Sequence, residues 1–312
     1  MPSSGLRTAS GWLQAPCFGR LVKAMADFFN YVEQVRDVGA TLTREQADAA
    51  LRAMLAGEAG DEDIAALLTA MAKRGETVAE LTGFAQAMRA LSVPVPLTET
   101  ERAALLDTCG TGGDGKGTFN ISTAAALVGA AAGAKVAKHG NRGVTSKCGS
   151  ADVLEALGIA VDLPVESAVE CLRATGFAFL YAPLLHPTLK RVARVRKSLG
   201  FRTIFNLAGP LTNPADARTQ VMGVFAANRV SQIAETLANL GVRHAFVVHG
   251  LDGLDELTLS GESMIAEVRA PRNSWDFVGP DRKSPKPADG NNCGFHPMLP
   301  KVPQACSALR EI

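Results

Sequence analysis

The chain has 312 residues, of which 47% are hydrophobic and 20% are charged, a length that suits one large or two modest domains. Its formal net charge of +1 gives no general positive surface that would favour nucleic acid or an anionic membrane. No apolar run approaches the ~18 residues that a membrane-spanning helix needs.

Residues 1–26 differ in composition from the rest of the chain, because they contain basic residues and no acid. This composition is typical of a transit peptide, which would imply a plastid location, but a start at Met25 explains it as well. We therefore predict an N-terminal extension that is separate from the first domain. The 6 cysteines are scattered, without a CxxC pair or metal-like spacing, and so favour a reduced, cytoplasmic compartment.

Residues 27–93 are predicted to form a small helical domain. Two capping boxes, TREQ at 43–46 and TVAE at 77–80, each open a segment with apolar residues at helical spacing. The sequence VPVP at 93–96 then interrupts the chain, since the residue before a proline avoids the helical conformation. A linker between two domains is expected there.

From residue 97 to residue 269, short apolar runs alternate with helical patterns. The runs ALLDTC, AKVAKHG, FAFLYA, VMGVFAA and HAFVVHG are typical of strands. Their alternation with helices predicts an α/β domain whose mostly parallel sheet is covered by helices on both faces. The segment 270–312 is rich in proline, lacks either periodicity, and is predicted to be an irregular tail.

Three polar, glycine-rich stretches come after predicted strands: DTCGTGGDGKG, KHGNRGVTSKCGS and HGLDGLDE. In parallel sheets, ligands bind outside the carboxyl ends of the strands. GTGGDG at 110–115 fits the dinucleotide motif GxGxxG and comes close to a P-loop, but Gly117 stands where the metal-binding Ser or Thr should be. The second strand ends in Lys138 and His139 rather than in the acid that would bind a ribose in a Rossmann fold. A glycine-rich turn without a ligand is the plain structural alternative.

The chemical character of these stretches indicates the type of ligand. A carboxylate such as Asp114 repels bare phosphate unless it faces a hydroxyl group or a metal. Short polar side chains at 118–123 begin a predicted helix, whose N-terminus favours anions. Lys138 and Arg142 bring more positive charge than a neutral sugar needs, and the adjacent Asp255 and Glu256 offer oxygen ligands for Mg²⁺. The sequence therefore predicts a site for a ribose polyphosphate with Mg²⁺.

Four stretches resemble signature sequences of the anthranilate phosphoribosyltransferases. They are GTGGDGKGTFNIST, KHGNRGVTSKCGSADVLEALG, RKSLGFRTIFNLAGPLTNP and GLDELTL, within a likeness that covers about residues 27–269 and excludes both ends of the chain. The resemblance implies transfer of the 5-phosphoribosyl group from 5-phospho-α-D-ribose 1-diphosphate (PRPP) to anthranilate, a magnesium-dependent step of tryptophan biosynthesis. It also implies a homodimer through the helical domain, which helices near residues 181–200 would join, and no nucleic-acid or membrane partner.

The resemblance further implies roles for individual residues. Ser122, Asp255 and Glu256 would hold the metal, and Gly110, Asn141 and Arg196 would hold anthranilate. The residues that would bind PRPP are Gly110, Gly113, Asp114, Thr118, Asn120, Ile121, Ser122, Thr123, Lys138, His139, Gly140, Asn141, Arg142, Gly143, Val144, Thr145, Ser146 and Ser150. No dedicated catalytic residue is implied, because pyrophosphate leaves readily and the aniline nitrogen is unprotonated. Positioning and electrostatics would carry the rate, with Lys138 and His139 nearest to the reacting atoms.

Four of these residues also have a plainer interpretation. Arg196 could belong to a solvated helix face, His139 could be structural, and Ser122 and Asn120 could be helix caps. Two other functions also stay open, a pyrimidine nucleoside phosphorylase-like enzyme and a non-enzymatic nucleic-acid-binding relative of the same fold. Asn141 and the FRTIFNLAGPL stretch favour the anthranilate enzyme over the first, and the near-neutral charge argues against the second.

Overall fold

A computed structural model describes residues 16–143, 148–270 and 274–277. The helices are α1 (Pro16–Arg36), α2 (Arg44–Ala56), α3 (Asp61–Arg74), α4 (Val78–Ala90), α5 (Glu99–Ala103), α6 (Ile121–Ala131), α7 (Ser150–Ala156), α8 (Val165–Thr175), α9 (Ala182–Leu185), α10 (Lys190–Leu199), α11 (Ile204–Ala208) and α12 (Val230–Asn239). The strands are β1 (Leu105–Gly110), β2 (Lys135–Gly140), β3 (Phe177–Tyr181), β4 (Thr219–Gly223), β5 (His244–Gly250), β6 (Ser263–Arg269) and β7 (Ser274–Phe277).

Helix α1 starts at Pro16, so its first part lies in residues 1–26, for which the sequence predicts an extension rather than a helix. Helix α1 packs against α3, and α2 packs against α4. Both predicted capping boxes are present. Thr43 Oγ1 accepts a hydrogen bond from Gln46 N and Thr77 Oγ1 accepts one from Glu80 N, each at 3.2 Å, and these contacts fix where α2 and α4 begin.

The α/β domain is built on a seven-stranded sheet with the order β3-β2-β1-β4-β5-β6-β7. The first five strands in this order are parallel, and β6 and β7 continue the sheet in antiparallel fashion. The prediction of a helical domain joined to an α/β domain with a mostly parallel sheet is confirmed. Strand β7 lies in the segment that the sequence pattern predicts to be irregular, where pairing with β6 supplies order that the local pattern does not show.

The two domains share one apolar core rather than meeting at a polar boundary. Helix α12 packs both on β5 and β6 and on α4 of the helical domain, while α10 packs on α2 and α3. The rings of Phe84 on α4 and Phe205 on α11 meet edge to face with their centroids 5.7 Å apart. The linker at 93–96 therefore joins domains that are packed together.

Two further properties concern the chain as a whole. No helix in the described part of the chain combines the length and the apolar character that crossing a membrane requires. Cys109 is a buried free thiol and Cys171 is an exposed free thiol.

Candidate functional site

The glycine-rich stretches lie at the carboxyl ends of β1, β2 and β5, along one edge of the sheet. The chain runs from β1 to β2 and β3 on one side and then crosses to β4 on the other side, so β1 and β4 form the switch point where parallel sheets bind ligands. Gly110 and Gly223 are paired there. A Cβ atom on Gly223 would lie 1.7 Å from the carbonyl oxygen of Asp255, so only glycine lets the third stretch approach this closely.

The loop after β1 depends on glycine for its backbone conformation. Left-handed φ angles between 63° and 78° occur at Gly112, Gly113, Gly115 and Gly117. Between them, Asp114 Oδ1 accepts a hydrogen bond from the backbone N of Lys116 at 3.0 Å, and Asp114 Oδ2 accepts one from Asp255 N at 3.4 Å. Asp114 thus connects the first glycine-rich stretch to the third.

Asp114, Asp255 and Glu256 form a crowded group of carboxylates. Burial, followed by the charge of Asp114, raises the pKa of Asp255 to about 6. Burial, followed by the charge of Asp255, raises the pKa of Glu256 to about 7, while the nearby Lys138 opposes this rise. Negative charge that is concentrated in this way is stabilised by a divalent cation.

The donor atoms of this group fit Mg²⁺, since they are the carboxylate oxygens of Asp255 and Glu256 beside the start of α6, where Ser122 lies. Among the described residues, no set of three or more His, Cys, Asp and Glu side chains forms a metal site by itself.

Lys138 lies on β2 and is 1% exposed. Its ammonium group donates to the carbonyl oxygen of Thr108 and, at 3.3 Å, to Ser122 Oγ. Burial lowers its pKa, and the negative charge of Asp107 opposes this effect. A cation, a hydroxyl group and the amide groups at the N-terminus of α6 therefore meet at one point, an arrangement that binds phosphate oxygens.

The start of α6 is not organised as an ordinary helix cap. Asn120 occupies the N-cap position, but its side chain makes no capping hydrogen bond and instead donates to the carbonyl oxygen of Cys148 at 3.3 Å. Thr123 Oγ1 is buried and has no hydrogen-bond partner in the described part of the chain. Thr118 is exposed and Ile121 is half-buried. A buried hydroxyl without a partner is the kind of group that a ligand satisfies.

In the second stretch, Arg142 is engaged with protein groups. Its guanidinium group pairs with Glu155 at 2.6 Å and lies 5.8 Å from the centre of the Tyr181 ring. Asn141 Oδ1 accepts a hydrogen bond from Arg142 N at 2.8 Å. The side chain of Arg142 therefore ties the loop to α7 in this structure, whereas the resemblance implied a contact with PRPP.

Asp152 on α7 joins the two ends of the same loop. Its Oδ2 accepts hydrogen bonds from Gly143 N at 2.9 Å and from Gly149 N at 2.7 Å. Ser150 begins α7, next to Gly140, where a Cβ atom would lie 3.3 Å from Ser150 Cβ. The loop residues Val144, Thr145 and Ser146, which are predicted to bind PRPP, lie outside the described residues.

Arg196 does not belong to a solvated helix face. It is half-buried on α10, with its guanidinium carbon 4.8 Å from the centre of the Phe205 ring, and burial lowers its pKa. The side chain of its neighbour Arg194 is by contrast 83% exposed. Among the described residues, no hydrogen bond joins Arg196 to Gly110 or Asn141, the other two residues predicted to hold anthranilate.

His139 lies against His186, a residue that the sequence pattern indicates only as part of a helix. Their ring centroids are 5.1 Å apart, both side chains are buried, and neither Nε2 atom has a partner in the described part of the chain. Burial is the largest cause that lowers the pKa of both rings, that of His139 well below its usual range. Both imidazoles are therefore neutral at pH 7.

Arg202 is a second residue that sequence reasoning misses. It comes after α10, donates to the carbonyl oxygen of Gly113, and places its guanidinium carbon 4.1 Å from the centre of the Phe225 ring. It thereby connects the segment between α10 and α11 to the glycine-rich loop. The only sequence signal for it is its position inside the stretch RKSLGFRTIFNLAGPLTNP.

Comparison with known proteins identifies relatives for both domains. Residues 30–92 match the helical bundle domain of a glycosyl transferase family, and residues 102–280 match the a/b domain of that family. A protein of Pelotomaculum thermopropionicum that is named anthranilate phosphoribosyltransferase is 55% identical over 231 residues, which cover 74% of this chain and 66% of that protein. The chain thus spans about two thirds of the length of the curated relatives it matches.

Solved structures give the same result. The crystal structure of anthranilate phosphoribosyltransferase from Thermus thermophilus superposes with a TM-score of 0.71 at 45% identity, covering 80% of this chain and 73% of that one. The Saccharomyces cerevisiae anthranilate phosphoribosyltransferase, solved in complex with PRPP and Mg, superposes with a TM-score of 0.70 at 27% identity. It covers 82% of this chain and 73% of that one.

Proposed function

This chain belongs to the anthranilate phosphoribosyltransferase family, and we propose that it transfers the 5-phosphoribosyl group of PRPP to anthranilate. The products are N-(5-phosphoribosyl)anthranilate and pyrophosphate, in the pathway to tryptophan. One observation carries this proposal: Lys138 donates a hydrogen bond to Ser122 at the start of α6. Lys138 is also close enough to Glu256, in the Asp255–Glu256 pair, for each charge to shift the pKa of the other group. Cationic, hydroxyl and carboxylate groups are the set that a ribose polyphosphate with a metal ion requires.

We assign the diphosphate of PRPP to the point where Lys138 and Ser122 meet. There the buried ammonium group donates to phosphate oxygens, and the free amides at the α6 N-terminus add their partial positive charge. Thr123 Oγ1, buried and without a partner in the described chain, is placed to donate to the same ligand. Asp114 lies in the adjoining glycine-rich loop, where its carboxylate can accept from ribose hydroxyls.

Asp255, Glu256 and Ser122 would hold Mg²⁺, which when bound neutralises the departing pyrophosphate. The ribose C1–O bond to pyrophosphate breaks and a bond from C1 to the anthranilate nitrogen forms, after which the nitrogen loses a proton. Since the aniline nitrogen is unprotonated at neutral pH, no strong base is needed, and positioning supplies most of the rate.

Arg196 is assigned to the anthranilate carboxylate. A guanidinium group can donate two parallel hydrogen bonds to a carboxylate, which lysine cannot. The Phe205 ring holds the Arg196 side chain in place beforehand. Asn141 and Gly110 complete this part of the site, and the neutral His139 lines the approach without adding charge.

We also propose a homodimer formed through the helical domain. Met25 and Phe29 on α1 are 52% and 46% exposed, and Val38 just beyond α1 is 76% exposed. The C-terminal end of α1 also borders an open groove of about 620 Å³, which is lined by Val35 on α1 and by Ala66 and Ala70 on α3. Apolar surface of this kind suits a self-contact. Phe29→Asp should shift the protein from dimer to monomer in sedimentation velocity, and an unchanged mass would exclude this interface.

The test of the proposed activity is the loss of anthranilate fluorescence in the presence of PRPP and Mg²⁺. The proposal expects loss only when both substrates and the metal are present, with no thymine released from thymidine and phosphate. Thymidine phosphorolysis without anthranilate consumption would favour the nucleoside phosphorylase alternative. Salt-dependent binding of DNA without either activity would favour the nucleic-acid-binding alternative.

A cytoplasmic location of this reaction stays a prediction from the cysteine pattern.

A further inference from the structure

Strands β1 and β2 separate before they reach the edge of the sheet where the site lies. β1 pairs with β4 from Leu106 to Gly110, and β2 pairs with β3 from Val136 to Gly140. Between β1 and β2 themselves, however, the pairing ends at Leu106 and Val136. The sheet is therefore open between these two strands over the residues that carry Lys138 and His139.

The backbone of β2 that faces this opening is not left without partners. Val136 N donates toward β3, to Gly176 O, so the alternate residues Ala137 and His139 face β1. Ala137 O accepts a hydrogen bond from Asn213 Nδ2 at 2.8 Å, and His139 N donates to Asp107 Oδ1 at 3.3 Å. Side chains thus replace the ladder hydrogen bonds that a continuous β1–β2 pair would make.

Asp107 and Asn213 form one unit inside the opening. Asn213 Nδ2 donates to Asp107 Oδ2 at 2.9 Å, and the two residues are 0% and 1% exposed. Asn213 is in turn fixed by its Oδ1, which accepts from Ala215 N at 2.9 Å. Asn213 belongs to the LTNP sequence at 211–214, to which neither the site chemistry nor the resemblance assigns a role.

The unit also balances charge. The charge of Lys138 is the largest influence that lowers the pKa of Asp107, and the charge of Asp107 is the largest influence that raises the pKa of Lys138, each against the effect of burial. Both groups are buried, so each would be costly to hold charged without the other. Asp107 is therefore coupled to Lys138 by charge and to His139 by a hydrogen bond.

We propose that Asp107 and Asn213 are positioning residues that hold β1 and β2 apart and thereby place Lys138 and His139 for the ligand. Neither residue needs to touch the substrate, because each acts through the β2 backbone. The expected effect on PRPP binding rests on the proposed function. The separation of β1 and β2 by these two side chains does not depend on the proposed function.

The test compares two variants with a matched control. Asp107→Asn keeps the size of the side chain but has one acceptor oxygen for two donors, so its NH₂ group must face either Asn213 Nδ2 or His139 N. Asn213→Ala removes the group that donates to Asp107 and to Ala137 O. Glu80→Gln is the control, because Glu80 is also a carboxylate that is 0% exposed, but it lies in α4 of the helical domain. PRPP affinity is measured by calorimetry with Mg²⁺, and hydrogen exchange is measured on the peptide that contains β2.

Both site variants are expected to weaken PRPP binding by about tenfold or more and to speed exchange in β2. Glu80→Gln should lower the melting temperature while leaving both readouts unchanged. Unchanged affinity and exchange in the site variants, or equal changes in Glu80→Gln, would overturn the proposal. If Asp107→Asn does not fold, Asn213→Ser is measured in its place. Should the unaltered protein not bind PRPP, faster β2 exchange in the variants would still support the positioning role while the proposed function failed.

Discussion

Replacing Arg196 with alanine is expected to impair anthranilate binding far more than PRPP binding. The guanidinium group is half-buried and lies 4.8 Å from the centre of the Phe205 ring, where water screens a paired carboxylate poorly. The loss of a charge-assisted contact of this kind costs about 1.5–3 kcal/mol, which corresponds to a rise of about ten- to a hundredfold in the KM for anthranilate.

The same substitution should leave the protein folded. The contact between Arg196 and the Phe205 ring contributes about 0.5–1 kcal/mol to stability, so the melting temperature should fall by only a few degrees. Arg194→Ala is the matched control, because it removes the same group from the same helix at a position that is 83% exposed and pairs with Asp61. That variant should change neither KM.

The assay is the initial rate of anthranilate fluorescence loss, with each substrate varied in turn at saturating Mg²⁺. The reasoning is refuted if Arg196→Ala raises both KM values equally, since Arg196 would then act through the structure alone. It is also refuted if Arg194→Ala has the same effect, because a general loss of positive charge on α10 would then explain the result.

Three other changes give independent tests. Asp255→Asn combined with Glu256→Gln should nearly abolish turnover. Because the folded-state pKa values of these acids, about 6 and about 7, lie above their ordinary values, their ionisation costs stability as pH rises through them. In EDTA, the melting temperature of the wild type should therefore fall relative to that of the double variant as the pH rises from about 4, where the unfolded chain begins to ionise, to about 7, where the folded-state acids have ionised. Gly223→Ala should displace the Asp255 backbone and abolish activity that depends on Mg²⁺, measured as rate against metal concentration. Arg74→Ala leaves the buried Glu80 without its cation and should cost about 3–5 kcal/mol of unfolding free energy in urea titrations.

Each of these changes has a control and a contrary outcome. If the double variant keeps normal turnover at limiting Mg²⁺, Asp255 and Glu256 do not bind the metal. Gly261→Ala is the control for Gly223→Ala, because it adds a methyl group where there is open space, and it should leave the rate unchanged. An equal loss of activity in both variants would show that the contact between Gly223 and the Asp255 backbone is not the cause. Arg52→Ala breaks an exposed pair with Asp48 and should cost at most about 0.5 kcal/mol. If Arg74→Ala costs no more unfolding free energy than Arg52→Ala, burial of Glu80 does not strengthen its ion pair.

The fold is largely predictable because its signals are local. The capping boxes at Thr43 and Thr77 fix helix starts through contacts three residues apart, and the run HAFVVHG matches β5 from end to end. Strand β7 cannot be predicted in this way, because its order comes from pairing with β6. The start of α1 at Pro16 is also missed, since the basic composition of the first residues indicates a separate segment.

The site is predictable only where neighbouring residues in the sequence share the chemistry. The glycine-rich loop and the Asp255–Glu256 pair are contiguous motifs, and the structure brings them together through Asp114. His186 and Asn213 come from other segments and reach the site through the crossing of the chain between β3 and β4. No spacing rule in a single sequence indicates such contacts.

The most direct test of the central claim is identification of the product that this chain forms from PRPP and anthranilate with Mg²⁺. Mass spectrometry should detect N-(5-phosphoribosyl)anthranilate, and phosphorus NMR should detect an equal amount of pyrophosphate. Neither should form with the Asp255→Asn and Glu256→Gln double variant. Pyrophosphate without the ribosylated product, or product formed equally by the double variant, would contradict the assignment of this activity to the chain.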